Sequence, residues 1–138
     1  MNFFLDTSIC VDVLRTHGVQ KSLDLFKSFG ENNTGYVSVI TVAELSAGAS
    51  LSPQRNAMEK TGALLEYVRI IDLTEPIAIE AGRIYAGLSR AGNRIEFNDC
   101  LIAATARSLG MNRIVTRNCD HFNRIEGFAA VLPEEIEF

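Results

Sequence analysis

The chain has 138 residues, 47% of them apolar, and a formal net charge of −4 from 13 basic and 17 acidic side chains. That length suits one domain with a real buried core; no apolar run approaches the roughly 20 residues of a membrane span, and no charged segment precedes an apolar one at the N-terminus, so membrane and secreted classes are disfavoured. Cys10, Cys100 and Cys119 are odd in number and form no Cys-x-x-Cys pair, which speaks against disulfides and structural zinc and for a reducing, cytoplasmic setting.

The chain opens on Asn2-Phe3-Phe4-Leu5-Asp6-Thr7-Ser8. Phe3 to Leu5 predicts a buried strand that stops on an acid, and Ile9-Cys10-Val11-Asp12-Val13-Leu14 follows with helical spacing. An acid at the carboxyl end of a buried parallel strand points into the crevice where open α/β sheets bind ligands. Asp6, Thr7 and Ser8 are also good N-caps, so a purely structural role is open at this point. After a break at His17-Gly18, a helix is expected over Val19 to Phe29, then a loop, then a strand over Tyr36 to Ile40. Thr41 opens a helix to about Ser50, and Gln54 to Tyr67 reads as another.

Val68 to Leu73 is the third expected strand. Pro76 to Ala91 carries Ile77, Ala81, Ile84, Tyr85 and Leu88 at spacings of three and four, an amphipathic helix. Phe97 to Leu109 predicts the next helix, ended by Gly110. Arg113 to Thr116 is a fourth strand, followed by the polar Arg117-Asn118-Cys119-Asp120-His121-Phe122, and Ala129 to Leu132 is a possible last strand. Strands alternating with helices predict an α/β fold with a mostly parallel sheet. No repeat or interdomain linker is present, so 1–138 is expected to be a single domain.

Acids recur at the junctions. Glu44 follows Thr41 by three residues, which is also a capping box. Asp99 lies in the first turn of the apolar helix Asp99-Cys100-Leu101-Ile102-Ala103-Ala104, where the helix dipole tolerates it. Asn118 and Asp120 follow the fourth strand at the same sheet edge as Asp6. Each has a bland explanation; one shared purpose explains all four. Clustered carboxylates repel unless cations or protons neutralise them, and a hard divalent cation such as Mg²⁺ or Mn²⁺ takes oxygen ligands, keeps waters and can bring a phosphate oxygen to an activated water. Arg83, Arg90, Arg94, Arg107, Arg113, Arg117 and Arg124 outnumber Glu96, Asp99 and Asp120 in the same stretch; arginine suits forked phosphate contacts, although solvated helix faces would read the same way. His17 and His121 form no ligand-spaced pair and read as surface or loop residues.

Taken together, Leu5-Asp6-Thr7-Ser8 with Val11-Asp12-Val13-Leu14, Thr41-Val42-Ala43-Glu44-Leu45, Asn98-Asp99-Cys100-Leu101-Ile102-Ala103-Ala104 and Thr116-Arg117-Asn118-x-x-x-Phe122 resemble the PIN-domain ribonucleases, in particular the VapC-type toxins of toxin–antitoxin pairs. The resemblance spans nearly the whole chain in the family's order. It implies a three-layer α/β/α sandwich around a mostly parallel four- to five-stranded sheet and Mg²⁺-dependent endoribonuclease activity, with Mn²⁺ a possible substitute. By position, Asp6 and Asp99 look like the principal metal ligands, Glu44 completes the acidic cluster, and Thr116 looks like the hydroxyl that orients ligands or metal-bound water. Asn118 stands where many relatives have Asp, though Asn also occurs there; Asp120 either restores the charge or faces solvent.

The implied chemistry is hydrolysis by a metal-activated water, with Glu44 or Asp120 assisting, leaving a 5′-phosphate and a 3′-hydroxyl. Arg94, Arg117 and Arg124 are candidates for substrate phosphate. No basic aromatic platform is visible in the sequence, which favours a folded RNA such as a tRNA or rRNA loop as substrate. The implied partners are a VapB-type antitoxin and a second copy of the chain, the latter because the helices at Val19–Phe29 and Gln54–Tyr67 carry more apolar surface than a small sheet covers. Two other readings differ in kind. A phosphotransferase of the haloacid-dehalogenase type expects Asp-x-Asp where Asp6-Thr7-Ser8 stands. A catalytically weak PIN-like protein-binding module is compatible with Asn118 but not favoured by retention of Asp6, Glu44 and Asp99.

Overall fold

The computed structural model describes residues 1–138. The chain alternates short strands with helices in the order β1 (Asn2–Phe4), α1 (Thr7–Leu14), α2 (Gln20–Lys27), β2 (Thr34–Ser38), α3 (Val39–Leu51), α4 (Ala57–Leu65), β3 (Val68–Ile71), α5 (Glu75–Arg90), α6 (Phe97–Ser108), β4 (Arg113–Val115), α7 (Cys119–Asn123) and β5 (Ala129–Val131), closing on a 3₁₀ turn at Pro133–Glu135. No helix is long and apolar enough to cross a membrane.

All strand pairings are parallel. The expected unbroken sheet is instead a three-stranded sheet, β1-β2-β3, and a two-stranded one, β4-β5. A single parallel bridge between Leu5 and Val115 joins them. The physical reason lies in length. β1 and β4 have three residues each, and they meet only where both run out, so the seam lies at their carboxyl ends. Asp6 emerges at that seam.

The period of two along each strand sorts the core into two layers. Phe4 and Ile114 face one side and pack with Ile77, Ala81 and Ile84 of α5, with α6, and with Phe122 and Phe128. Phe3, Leu5, Val37 and Val115 face the other and pack with Ile9 and Cys10 of α1, Leu25 and Phe26 of α2, Leu45 of α3 and Leu64 of α4. Each fully buried Leu, Ile or Phe contributes roughly 1.5–3 kcal/mol. This is the three-layer sandwich expected. α6 buries Cys100, Ile102, Ala103, Ala104, Thr105 and Ala106; such a helix is enclosed nearly all round, and its alanines permit close approach. Gly35 of β2 is required for a similar reason, since a Cβ there would lie 2.5 Å from the Phe29 ring.

Two boundaries depart from expectation instructively. β2 ends at Ser38 and α3 already starts at Val39, although Val39 and Ile40 favour strand. Ser38 Oγ accepts from the Ile40 amide at 3.0 Å, so N-cap chemistry overrides propensity. It also removes the Thr41-x-x-Glu44 capping box, because Thr41 lies inside the helix and is fully buried. The polar stretch after β4, expected as a turn, contains the short helix α7.

Candidate active site

Four segments bring polar side chains to the carboxyl end of the sheet. At the seam, the Asp6 amide donates to the Val115 carbonyl at 2.9 Å, and the residue is 3% exposed. Its backbone takes the extended N-cap conformation of α1, yet its carboxylate makes no capping hydrogen bond. Oδ2 accepts instead from Thr116 Oγ1 at 2.7 Å and from Ser8 Oγ at 2.8 Å. Thr116 Oγ1 in turn accepts from the Asn118 amide, and Ser8 Oγ from the Arg117 amide. A hydroxyl has one proton to give, and both are directed at Asp6; the 3.4 Å approach of Ser8 to Thr116 is a contact only. Because both donors serve Oδ2, the other oxygen of Asp6 keeps its lone pairs for a ligand.

Glu44 projects from α3. Its Oε1 accepts from Thr7 Oγ1 at 2.7 Å, and Thr7 lies 2.9 Å from the buried Thr41 hydroxyl. With the Thr7 proton on Glu44, Thr41 is the donor to Thr7. A hydroxyl relay therefore ties the start of α1 to α3.

Asp99 occupies the first turn of α6. Its carboxyl is pushed up to about 6, first by burial and then by the negative charge of Asp6, with Glu44 adding to the effect. The imidazole of His121, with Nδ1 3.4 Å from Asp99 Oδ2, pulls in the opposite direction. Asp6 and Glu44 therefore lie near enough for their charges to be felt at Asp99. The structure brings these three together, with Thr116 holding Asp6.

The side chains of the other residues singled out by sequence make no hydrogen bond with the three acids, although the Asn118 and Arg117 amides support the hydroxyls that hold Asp6. Asn118 is exposed and begins α7, where its side chain makes no capping bond. Asp120 has its side chain 83% exposed and pairs with Arg124 Nη2 at 2.8 Å; it does not figure among the charges acting on Asp99. Arg94 is exposed, with its guanidinium near the Tyr85 ring. Arg117 is bound within the chain. Its Nε donates to Asp12 Oδ2 at 2.7 Å, its Nη1 to Glu134 Oε2 at 2.6 Å and its Nη2 to Ser22 Oγ at 3.3 Å. These bonds raise the guanidinium's affinity for its proton and hold the Glu134 carboxyl below its usual range.

The sequence assigns no site role to Asp12, Ser22 or Glu134. The signal for Asp12 was present, as an acid inside the apolar run Ile9 to Leu14. His121, read as a surface or loop residue, lies against Asp99. The cysteine thiols are free, and burial pushes Cys10 up to about 12 and Cys100 to about 11, so neither supplies a thiolate.

No three His, Cys, Asp or Glu side chains stand close enough to bind one ion directly. The donor set still fits a hard divalent cation. It is all oxygen, its members repel one another, and Asp6 presents an unengaged oxygen. Mg²⁺ is commonly held by one or two carboxylates and keeps several waters, so three converged ligands are not required.

The PIN domain model matches residues 3–127. Ribonuclease VapC2 of Haemophilus influenzae is 36% identical over 128 residues, covering 91% of this chain and 92% of that protein. The tRNA(fMet)-specific endonuclease VapC of Shigella flexneri is 32% identical over 130 residues, covering 92% of this chain and 94% of its own. Among solved structures, VapBC2 of Rickettsia felis bound to a promoter DNA fragment superposes with a TM-score of 0.84 at 29% identity, over 96% of this chain and 98% of that one. VapBC-1 of nontypeable Haemophilus influenzae gives 0.81 at 26%, over 98% and 100%. A family model spanning nearly the whole chain, relatives above 30% identity over most of their length, and an acid-lined sheet edge in the expected order together place this chain in the PIN-domain family, among the VapC ribonucleases.

Proposed function

We propose that the chain is a Mg²⁺-dependent endoribonuclease and the toxin of a VapBC-type pair. The observation that carries this reading is the gathering of Asp6, Glu44 and Asp99 at the sheet seam, close enough that two of them raise the carboxyl pKa of the third. Asp6 and Asp99, with Glu44, would hold Mg²⁺, or Mn²⁺ in its place. When bound there, such an ion neutralises the cluster, polarises a phosphodiester and lowers the pKa of water. Thr116 and Ser8 fix Asp6 by one oxygen and so present the other, and Thr7 fixes Glu44. The naming of the Shigella flexneri relative for tRNA(fMet) makes a tRNA the first substrate class to try.

The reading extends to partners. A groove of about 430 Å³ between α1, α3 and α4 is lined by Val11, Leu14, Gly48 and Ala49, by polar residues that include Arg15 and Lys60, and by Thr7 and Glu44. Its mixed apolar and polar lining suits an amphipathic helix from a VapB-type antitoxin. A basic side chain from that helix, reaching Glu44, would compensate the acids and obstruct the phosphate.

The direct test is cleavage of total tRNA by the purified chain with Mg²⁺ and with EDTA. Cleavage with the metal alone is expected, and none from Asp6→Ala. Soluble, folded protein that leaves RNA intact under both conditions would point to the protein-binding module instead. Expressed without a partner, the wild type should arrest growth while Asp6→Ala does not.

A further inference from the structure

Phe97 opens α6, two residues before Asp99, and is 45% exposed. Its ring is not loose. It packs on Tyr85 of α5 with centroids 5.1 Å apart and planes tilted by 54°. Arg94, in the connection between these helices, places its guanidinium 5.9 Å from the Tyr85 ring centroid, within cation–π range. The Arg94 carbonyl accepts from Arg124 Nη1 at 3.1 Å, which ties the connection to α7. Arg94 has no carboxylate partner, and the partner of Arg124 is the solvent-exposed Asp120, a pairing weakened by water. A braced pair of rings, one of them open to solvent, thus lies beside the Arg94 guanidinium at the start of the helix that carries Asp99, and Arg124 is tied to the same connection through the Arg94 carbonyl. The linear sequence hides this because Tyr85 and Phe97 belong to different helices.

We infer that Phe97, supported by Tyr85, is a stacking platform for an unpaired base of the RNA next to the cleaved phosphate, with Arg94 and Arg124 contacting the flanking phosphates. The inference rests on the ribonuclease reading above. An exposed aromatic face takes any base by its π-surface, and the guanidiniums supply local positive charge in a chain that is acidic overall. A duplex keeps its bases stacked on one another and cannot offer one; a loop or single strand can. The platform therefore selects unpaired RNA, and the acids act on the phosphate that the stacked base positions.

Short single-stranded RNAs carrying 2-aminopurine at successive positions report stacking by fluorescence quenching. The binding arm uses Asp99→Asn protein so that the probe is not consumed. Phe97→Leu keeps apolar bulk against Tyr85 but removes the ring, and Phe97→Tyr returns it. Quenching at one probe position is expected with Phe97 and with Phe97→Tyr. Phe97→Leu should abolish it and weaken binding about tenfold, while binding of a matched RNA duplex is unaffected by residue 97. Equal affinity and quenching in Phe97→Leu overturns the platform. So does an unchanged RNA affinity accompanied by a changed sedimentation coefficient, which would assign the ring to a protein contact. The cleavage arm retains Asp99: if that protein cleaves no RNA with Mg²⁺, the ribonuclease reading falls and the platform with it, whereas equal cleavage and binding by Phe97→Leu removes the platform alone.

Discussion

Asp99 is the residue at which the electrostatics of the site can be measured without RNA. In the fold its carboxyl is raised to about 6, above the roughly 3.9 of an unfolded chain. Between those values the folded state holds a proton that the unfolded state has lost, so stability from this group falls as pH rises from about 4 to about 6 and stays low above that. The loss is on the order of 3 kcal/mol. Asp99→Asn puts a neutral amide where the protonated acid would be. In EDTA at pH 7.5 the variant should melt higher than the parent, and the gap should close at pH 4.5; Mg²⁺ should raise the parent's melting temperature and the variant's much less. A variant that melts no higher than the parent at pH 7.5 would mean that the acids do not repel as the structure implies. The same substitution should abolish RNA cleavage, whatever it does to the melt, because it removes a charge from the proposed cation site. Cleavage at the parental rate by folded Asp99→Asn would take Asp99 out of the mechanism.

Elements meet at this site through polar bonds more than through apolar packing. Arg117 braces the turn between β4 and α7 against α1 and α2 through Asp12 and Ser22, and against the C-terminal turn through Glu134. Arg117→Ala would leave the buried Asp12 with only the Ser22 hydroxyl, and breaking such a pair costs roughly 3–5 kcal/mol when fully buried, less here because the guanidinium is partly exposed. A clear drop in urea midpoint is expected; a residue serving only as a phosphate contact would leave the midpoint in place. The groove between α1, α3 and α4 offers a cleaner separation of function. A Cβ at Gly48 meets nothing within 4 Å, so Gly48→Trp should fold, fill the groove, retain cleavage and lose inhibition by a VapB-type antitoxin in a titration. The helices were legible in advance because their apolar spacing is regular, as in Ile77, Ala81, Ile84 and Leu88 of α5. The order of the acids along the chain was legible too. Their supporting hydroxyls were not, since Thr7, Ser8 and Thr116 look like ordinary caps until the seam brings β1 beside β4. Nor was the brace, whose members Asp12, Ser22, Arg117 and Glu134 are spread across the chain and joined only by tertiary structure.

At the scale of the whole molecule, the edges of the sheet decide what remains to be covered. β5 is three residues long and is followed by a turn beginning at Pro133, which blunts it. β3 lies at the opposite edge, and its flanks leave Tyr67 59%, Ile70 43% and Leu73 39% exposed. The apolar face of α2, expected to be in surplus, is spent inside the chain on Leu25 and Phe26; exposed apolar side chains remain at Met58 near the start of α4 and at Tyr67, Ile70 and Leu73 on and beside β3. Apolar residues clustered on an open strand edge favour association unless charge opposes it, and Arg69 is the only charged side chain within β3. A second copy related by a two-fold axis would bury this patch against itself. We expect a homodimer formed through the β3 edge, with Ile70→Asp shifting it to monomer while cleavage of RNA persists, because the acids lie at the strands' carboxyl ends and not at the edge. Sedimentation of the parent as monomer alone at tens of micromolar would exclude the dimer, and an Ile70→Asp protein that stays dimeric would move the interface to another face.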